Sequence, residues 1–314
     1  MGKVAFIFAG QGAQYVGMGK ELAENIEPCK DVFKKADEAL GFSISNMCFE
    51  GPKEALDMTE NTQPAILATS IAALRALEEK GFTPDVVAGL SLGEYGALVA
   101  SKVLEFSTAV SLVKKRGRFM QEAVPKGVGT MAAILGLGED GVRAACTEAS
   151  DAGIVEPANF NCPGQIVIGG EVEAVKKACE IAKEKGASRA MMLSVSAPFH
   201  TSMLSGAAKK LEEELKDINL GEINTPVYTN VTGDYIENKD MIKNLLKKQV
   251  MSAVLWENTI KRMLEDGVDT FVEIGPGKVL SGFVKKIDKT VTILNVEDMK
   301  SLEKTIEVLE AQRS

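Results

Sequence analysis

The sequence predicts an α/β protein whose mostly parallel sheet is interrupted by a smaller subdomain. Short runs such as residues 3–9 and 85–88 are apolar on both faces, as buried parallel strands are, and they alternate with helical patterns. Between residues 127 and 195 the pattern changes to strand, helix, strand, strand, helix, strand, which is the ferredoxin-like order. We therefore expect a core of residues 1–126 and 196–314 and an inserted ferredoxin-like subdomain of residues 127–195.

The elements before the insert follow from apolar periodicity and from turn residues. The first strand leads into the turn Gly10-Gln11-Gly12, and the strand at 85–88 leads into a helix near residues 92–100. Three further helical patterns are expected, of which the second is ended by Gly81 and the third stops before Pro125. They cover residues 28–40, 61–80 and about 106–122.

The insert and the remaining core are predicted in the same way. Cys162-Pro163-Gly164 is typical of a turn between two strands, and Gly186 of a helix end. The insert's strands are expected at 130–135, 155–159, 165–168 and 189–193, and its helices at 139–150 and 171–185. Beyond it we expect strands at 226–229, 270–274 and 291–294, helices at 239–250 and 255–264, and a helix that begins after His200.

Composition excludes several classes of protein. A chain of 314 residues with 45% hydrophobic and 25% charged residues is ordinary for a globular protein of one or two domains. Its net charge of −8 argues against a general nucleic-acid binder, which needs a basic face. No run approaches the ~20 apolar residues of a membrane span. The five cysteines lack a Cys-x-x-Cys pair, which favours reduced thiols in the cytoplasm over disulfides or a zinc site.

Ser91 lies in Gly89-Leu90-Ser91-Leu92-Gly93, a Gly-x-Ser-x-Gly sequence between a predicted strand and a predicted helix. This context is typical of a nucleophile elbow, in which the serine sits on a tight turn and is open to a substrate. A serine hydroxyl needs a base to take its proton, and the chain contains a single histidine, His200. If Ser91 reacts through a histidine, His200 must be that residue. More than a hundred residues follow it, unlike the histidine of α/β hydrolases, which lies near the chain end.

Two other features of the sequence can each be interpreted in two ways. The segment Gly10-Gln11-Gly12 follows a buried strand, and its backbone amides could stabilise an oxyanion. Alternatively, it is an ordinary structural turn. A nucleotide-binding loop is disfavoured, because the segment lacks the lysine and the glycine spacing of such loops. Arg116 lies on the apolar stripe of its helix and therefore needs a partner. That partner is either a protein carboxylate or the carboxylate of a substrate.

Taken together, the motifs resemble those of two related groups of enzymes. One is the malonyl-CoA:acyl carrier protein transacylases of type II fatty acid synthesis, and the other is the acyltransferase domains of polyketide synthases. The resemblance spans essentially the whole chain and consists of seven segments in the family's order. They are residues 8–14 (FAGQGAQ), 61–65 (NTQPA), 89–95 (GLSLGEY), Arg116-Gly117, residues 159–165 (NFNCPGQ), 198–200 (PFH) and 271–277 (FVEIGPG). Leu90 stands where many members have a histidine before the serine. This difference does not weaken the resemblance, because that side chain need not contact the acyl group.

The resemblance implies a hydrolase-like core and a role for each site residue. Ser91 would carry the acyl group and His200 would be its base and later acid. The backbone carbonyl of Gln249 would orient the imidazole, and Arg116 would hold the malonyl carboxylate. The amides of Gln11 and Leu92 would form the oxyanion hole; for Leu92 the elbow rule implies the same.

The resemblance also implies the substrates malonyl-CoA and phosphopantetheinylated acyl carrier protein, with no metal and no tightly held cofactor. By the same resemblance, Phe199 would favour malonyl over methylmalonyl, because its ring would crowd an α-methyl group. We expect Lys285 and Lys286 to help dock an acidic carrier. Nothing in the sequence demands an oligomer, and a monomer is expected. A serine esterase or thioesterase, or a binding module without catalysis, would be the alternatives.

Overall fold

The structure is a computed structural model, and it describes residues 2–195 and 197–313. Its strands are β1 (Lys3–Phe8), β2 (Val86–Gly89), β3 (Gly129–Leu135), β4 (Val155–Cys162), β5 (Gln165–Glu171), β6 (Arg189–Met192), β7 (Val227–Tyr228), β8 (Val268–Ile274) and β9 (Thr292–Val296). Its α-helices are α1 (Lys20–Asn25), α2 (Glu27–Leu40), α3 (Ile44–Glu50), α4 (Lys53–Leu56), α5 (Thr59–Glu79), α6 (Gly93–Ala100), α7 (Phe106–Glu122), α8 (Glu139–Ala149), α9 (Val172–Glu184), α10 (Ser205–Lys216), α11 (Ile242–Met251), α12 (Trp256–Glu265), α13 (Val279–Ile287) and α14 (Met299–Arg313).

The first sheet is parallel and has five strands in the order β7-β2-β1-β8-β9. Its central strand β1 is buried on both faces over its last four residues, as its uninterrupted apolar sequence predicts. All five strands run in one direction, so the segments that follow β1, β2, β7 and β8 meet at the same edge. In open α/β sheets this carboxyl edge is where ligands bind.

The second sheet is antiparallel, with four strands in the order β4-β5-β3-β6. Numbered from the first strand of the insert, this order is 2-3-1-4, the ferredoxin-like arrangement. Helices α8 and α9 pack on the sheet, and Val142 and Val175 join Ile134 and Ile168 in a core separate from that of the parallel sheet. The predicted fold class is confirmed.

The proposed division into 1–126, 127–195 and 196–314 stays a prediction. Its second boundary falls on Ser196, and its outer ends on Met1 and Ser314, all three outside the described residues. The strands of the antiparallel sheet lie between Gly129 and Met192.

Some elements differ from their predicted bounds. Helix α5 begins two residues earlier than expected, because the Met58 carbonyl accepts the amides of Asn61 and Thr62. Pro64 lies inside this helix, as it does in the predicted one. The helix predicted at 239–250 is divided: Asn238 caps a 3₁₀ turn at Lys239–Met241, and α11 follows.

Several helices were not predicted at all. The C-terminal helix α14 buries only Leu302, Thr305 and Leu309, which is too sparse an apolar stripe to stand out. The others are α1, α3, α4 and α13. None of the helices in the described part of the chain combines the length and the apolar character that a membrane span requires.

Candidate active site

Ser91 lies on the turn between β2 and α6, at the carboxyl edge of the parallel sheet. Its φ is +53°, which is rare for a residue with a side chain and typical of a strained elbow. The turn fits only because its flanking residues are glycines. A Cβ at Gly89 would lie 1.9 Å from the carbonyl carbon of Gly93, and one at Gly93 would lie 2.1 Å from the carbonyl oxygen of Phe8. The segment thus presents the serine where the sequence pattern predicts it.

His200 lies directly against the serine. The distance from Ser91 Oγ to His200 Nε2 is 2.7 Å, and that from His200 Nδ1 to the carbonyl oxygen of Gln249 is 2.8 Å. A carbonyl oxygen only accepts, so Nδ1 carries the proton and Nε2 is left to accept from the serine hydroxyl. The arrangement suits a general base.

Burial is the main cause that lowers the pKa of His200, to about 4, and the nearby Arg116 lowers it further. The hydrogen bond to Gln249 opposes this shift. A histidine with this pKa is neutral at physiological pH and can accept a proton there.

Arg116 is buried on the inward stripe of α7, with 1% of its surface exposed. Its Nη1 donates to Gln63 Oε1 at 2.8 Å; its Nη2 donates to Gln249 Oε1 at 2.9 Å and to Ser91 Oγ at 3.1 Å. The ring of Tyr95 lies 5.4 Å from the guanidinium carbon. Burial lowers the pKa of Arg116. These contacts bring the cation to the serine oxygen itself.

One donor of Arg116 has no protein acceptor. Its Nε is buried and has no hydrogen-bond partner among residues 2–195 and 197–313, and no carboxylate among these residues pairs directly with the guanidinium. A buried donor without an acceptor costs about 1–3 kcal/mol.

Two residues that the sequence analysis missed complete the site. Asn230, just after β7, accepts the Ser91 amide on Oδ1 at 2.6 Å and donates from Nδ2 to the Gly89 carbonyl at 2.8 Å. Glu94, in the first turn of α6, accepts from Gln249 Nε2 at 2.7 Å and from the Asn230 amide at 2.9 Å. A charged residue among the apolar residues of α6 was a signal for Glu94, but no local pattern marks Asn230.

A cavity of about 550 Å³ lies beside Ser91 and His200. Gln11 lines it, and Leu92 is the N-cap of α6, where backbone amides face outward. The insert contributes Met131, Asn159, Asn161, Val167 and Leu193, and α13 contributes Val279, Leu280 and Phe283. A cavity between two subdomains, with polar side chains beside an apolar wall, is typical of a small-ligand site.

Phe199 also lines the cavity, next to His200. Lys285 and Lys286 are exposed near the end of α13, and Lys286 Nζ lies 3.2 Å from Gln165 Oε1 of the insert. Both positions therefore belong to the helix that forms part of the cavity wall.

Comparisons with known proteins agree with this geometry. The family model for the acyl transferase domain matches residues 5–306. The malonyl CoA-acyl carrier protein transacylase of Bacillus subtilis is 47% identical over 99% of both chains. The crystal structure of the Clostridium perfringens transacylase of that name has a TM-score of 0.97 at 54% identity, covering 99% of this chain and 98% of its own.

A further similar structure is a type II PKS acyl-carrier protein in complex with its malonyl-transacylase. It has a TM-score of 0.95 at 41% identity, over 98% of this chain and 99% of its own. The shared family model, the full-length identity and the shared fold lead to one conclusion: this chain is an acyltransferase that belongs to the malonyl CoA-acyl carrier protein transacylase family.

Proposed function

We propose that this enzyme transfers the malonyl group of malonyl-CoA to the phosphopantetheine thiol of an acyl carrier protein, through a malonyl ester on Ser91, and so supplies fatty acid elongation. The observation that carries the proposal is the buried Arg116, whose Nη2 lies 3.1 Å from Ser91 Oγ. An ester hydrolase needs the serine and histidine but has no use for a buried cation at the nucleophile. A transferase for dicarboxylic acyl groups does need such a cation, because the free carboxylate of the acyl group would lie within its reach.

In the first half-reaction, Ser91 Oγ attacks the thioester carbon while His200 Nε2 takes the hydroxyl proton. The amides of Gln11 and Leu92 stabilise the tetrahedral oxyanion. As the carbon–sulfur bond breaks, His200 returns the proton to the leaving sulfur, and CoA departs as a thiol. The malonyl group remains as an ester on Ser91.

In the second half-reaction, the carrier's thiol occupies the place that CoA has left. His200 takes its proton, the sulfur attacks the ester carbon, and the carbon–oxygen bond breaks. The proton then passes from His200 to Ser91 Oγ, which restores the free enzyme. The Gln249 carbonyl holds the imidazole in the tautomer that both steps need.

Arg116 gives the selectivity in this proposal. Its Nε is a buried donor without a protein acceptor, and a malonyl carboxylate would supply one. Phe199, at the cavity wall, favours malonyl over methylmalonyl by crowding an α-methyl group, an effect of about 1–3 kcal/mol.

The proposal includes no metal and no tightly held cofactor, since the side chains named above account for each proton transfer. We also propose that the enzyme is a cytoplasmic monomer. The buried, unpaired thiols of the five cysteines suit a reducing compartment. Light scattering after gel filtration would test the oligomeric state.

The decisive experiment is the intact mass of the protein after brief exposure to malonyl-CoA, with Ser91→Ala in parallel. We expect one malonyl adduct on the wild type, none on Ser91→Ala, and discharge of the adduct by holo acyl carrier protein. An adduct that decays to free malonate without a carrier would favour a thioesterase. Absence of any adduct would favour a binding protein.

Arg116→Ala tests the selectivity separately. We expect kcat/KM for malonyl-CoA to fall about 100-fold, because the lost charge-assisted hydrogen bonds are worth about 1.5–3 kcal/mol each. The value for acetyl-CoA, which has no carboxylate, should change far less. A variant that still prefers malonyl would remove Arg116 from this role and leave the ester chemistry unchanged.

A further inference from the structure

Behind Ser91 lies a buried carboxylate that the proposed chemistry does not use. Glu94 has no exposed surface. Three uncharged groups donate to it: Thr229 Oγ1 at 2.9 Å, the Asn230 amide at 2.9 Å and Gln249 Nε2 at 2.7 Å. Burial raises the pKa of Glu94, and these hydrogen bonds and Arg116 oppose the rise. The two N–H groups at Oε2 can only donate and so favour the ionised form, whereas the Thr229 hydroxyl at Oε1 can either donate or accept.

The side-chain amide of Gln249 connects this carboxylate to the guanidinium. Arg116 has only donors, so Gln249 must turn its Oε1 towards it. Gln249 Nε2 is then left to face Glu94 Oε2 and, at 3.1 Å, the carbonyl oxygen of Ser91. The amide thus lies between a buried cation and a buried anion, with each end facing the group of opposite charge.

The same carboxylate also contacts the residue that holds the elbow. The Asn230 amide donates to Glu94, while its side chain bonds the Ser91 amide and the Gly89 carbonyl. Ser91 has a positive φ, and such a conformation persists only where the surroundings over-determine it. Glu94 is therefore the common neighbour of the two residues, Gln249 and Asn230, that hold the imidazole and the serine.

We infer that Glu94 is a positioning residue of this active site, which acts through the Gln249 and Asn230 amides on Arg116, His200 and Ser91 without contacting the substrate. The inference rests on the proposed function. In Glu94→Gln, the side-chain oxygen could still accept from Gln249 Nε2 and the Asn230 amide, and the new NH₂ would face the Thr229 hydroxyl, which can turn to accept it. The variant would therefore keep the pairing but replace the carboxylate by a neutral amide, which weakens the two hydrogen bonds that hold Gln249 and Asn230.

The test compares wild type, Glu94→Gln and Glu94→Asp in two measurements. The first is kcat/KM for ester formation on Ser91 from malonyl-CoA and from acetyl-CoA. The second is the ¹⁵N spectrum of the free enzyme, in which the one imidazole of the chain, His200, gives unambiguous signals. For Glu94→Gln we expect the malonyl-to-acetyl ratio to fall about 10- to 100-fold and the Nδ1–H signal to shift or broaden. Glu94→Asp keeps the charge, so the malonyl-to-acetyl ratio and the Nδ1–H signal should both change less than in Glu94→Gln.

Leu302→Ala is the matched control, because Leu302 is a buried core residue of α14 away from the site. It should lower Tm but leave the ratio and the imidazole spectrum at their wild-type values. If Glu94→Gln behaves in the same way, Glu94 is merely structural and the inference is overturned.

Two further outcomes keep the test decisive. Should Glu94→Gln fail to fold, Thr229→Val removes one donor to the carboxylate and should lower the ratio about 2- to 10-fold; an unchanged ratio would overturn the inference. Should the wild type form no malonyl ester, the proposed function fails. The ¹⁵N comparison then still decides whether Glu94 positions His200.

Discussion

The imidazole of His200 shows how far a single residue depends on its surroundings. As a lone histidine in the sequence it is an ordinary group with a pKa of 6.5, whereas in the folded protein burial and Arg116 lower that pKa to about 4. The base form is thereby present well into the acidic range. In the proposed mechanism His200 takes a proton from Ser91, so this low pKa would widen the pH range of activity.

We expect kcat/KM for malonyl-ester formation to stay level from pH 8 to about 5 and to halve near pH 4, as His200 takes up a proton. The direct measurement is a ¹⁵N titration of the imidazole in the free enzyme. A midpoint near 6.5 in either curve would contradict the buried, neutral base.

The same pKa has a consequence for stability. The folded-state pKa lies below the unfolded value, so between about pH 6.5 and 4 the unfolded chain binds a proton that the folded chain does not. The contribution of His200 to the free energy of unfolding therefore falls as the pH falls through this window and is constant below it. Urea unfolding at pH 7 and pH 5 would measure this fall, together with the other groups that titrate there.

At the scale of elements, the close approach of α7 to the start of α5 places Arg116. A Cβ at Gly117 would lie 2.6 Å from the carbonyl oxygen of Thr59 and 2.9 Å from the Cα of Glu60. Both are backbone atoms, so a side chain there can be accommodated only if the helices move apart. The guanidinium of the preceding residue would move with α7.

Gly117→Ala should therefore destabilise the protein by about 1–3 kcal/mol and lower the rate of malonyl-ester formation. Gly282→Ala is its control, since Gly282 lies within α13 with no atom within 4 Å of an added Cβ. That substitution should be neutral or stabilising by up to about 1 kcal/mol. Urea unfolding and ester formation check both, and a Gly117→Ala enzyme as stable as wild type would refute the argument.

Sequence patterns predicted the strands and the long amphipathic helices better than the short or weakly apolar helices. The buried runs of β1 and β8 and the stripe of α7 are local signals that survive without knowledge of the fold. Helices α3 and α4 have seven and four residues, which is too short for a periodic pattern to be visible. Their helical form depends on the packing around them.

At the scale of the whole molecule, the net charge of −8 would repel an acidic carrier protein, so we expect docking to use a local positive surface. Helix α13 provides one where it forms the cavity wall, through the exposed Lys285 and Lys286. Since exposed charges act through solvent, their contribution should weaken as salt screens them.

For Lys285→Glu/Lys286→Glu we expect KM for the holo carrier protein to rise about 5-fold or more at low salt, a difference that shrinks at high salt. Lys30→Glu/Lys34→Glu changes the net charge equally on α2, whose residues do not line the cavity, and should have a smaller effect. An unchanged KM in the α13 variant at low salt would exclude this docking surface.

The sequence by itself determined the α/β class with its ferredoxin-like insert, and it singled out Ser91, His200 and Arg116. Those inferences were possible because apolar strand runs, helical stripes and the elbow motif are short-range patterns, and because the chain has one histidine. The role of Gln249 came from family resemblance alone, whereas the turn after the first strand and the elbow rule also indicated the oxyanion amides. These roles, like those of the other site residues, remain predictions. Only the tertiary structure decided that a buried Glu94 joins Gln249 and Asn230 behind the nucleophile. The physical reason is that these contacts join residues more than a hundred positions apart, which meet only where parallel strands end at one edge of the sheet.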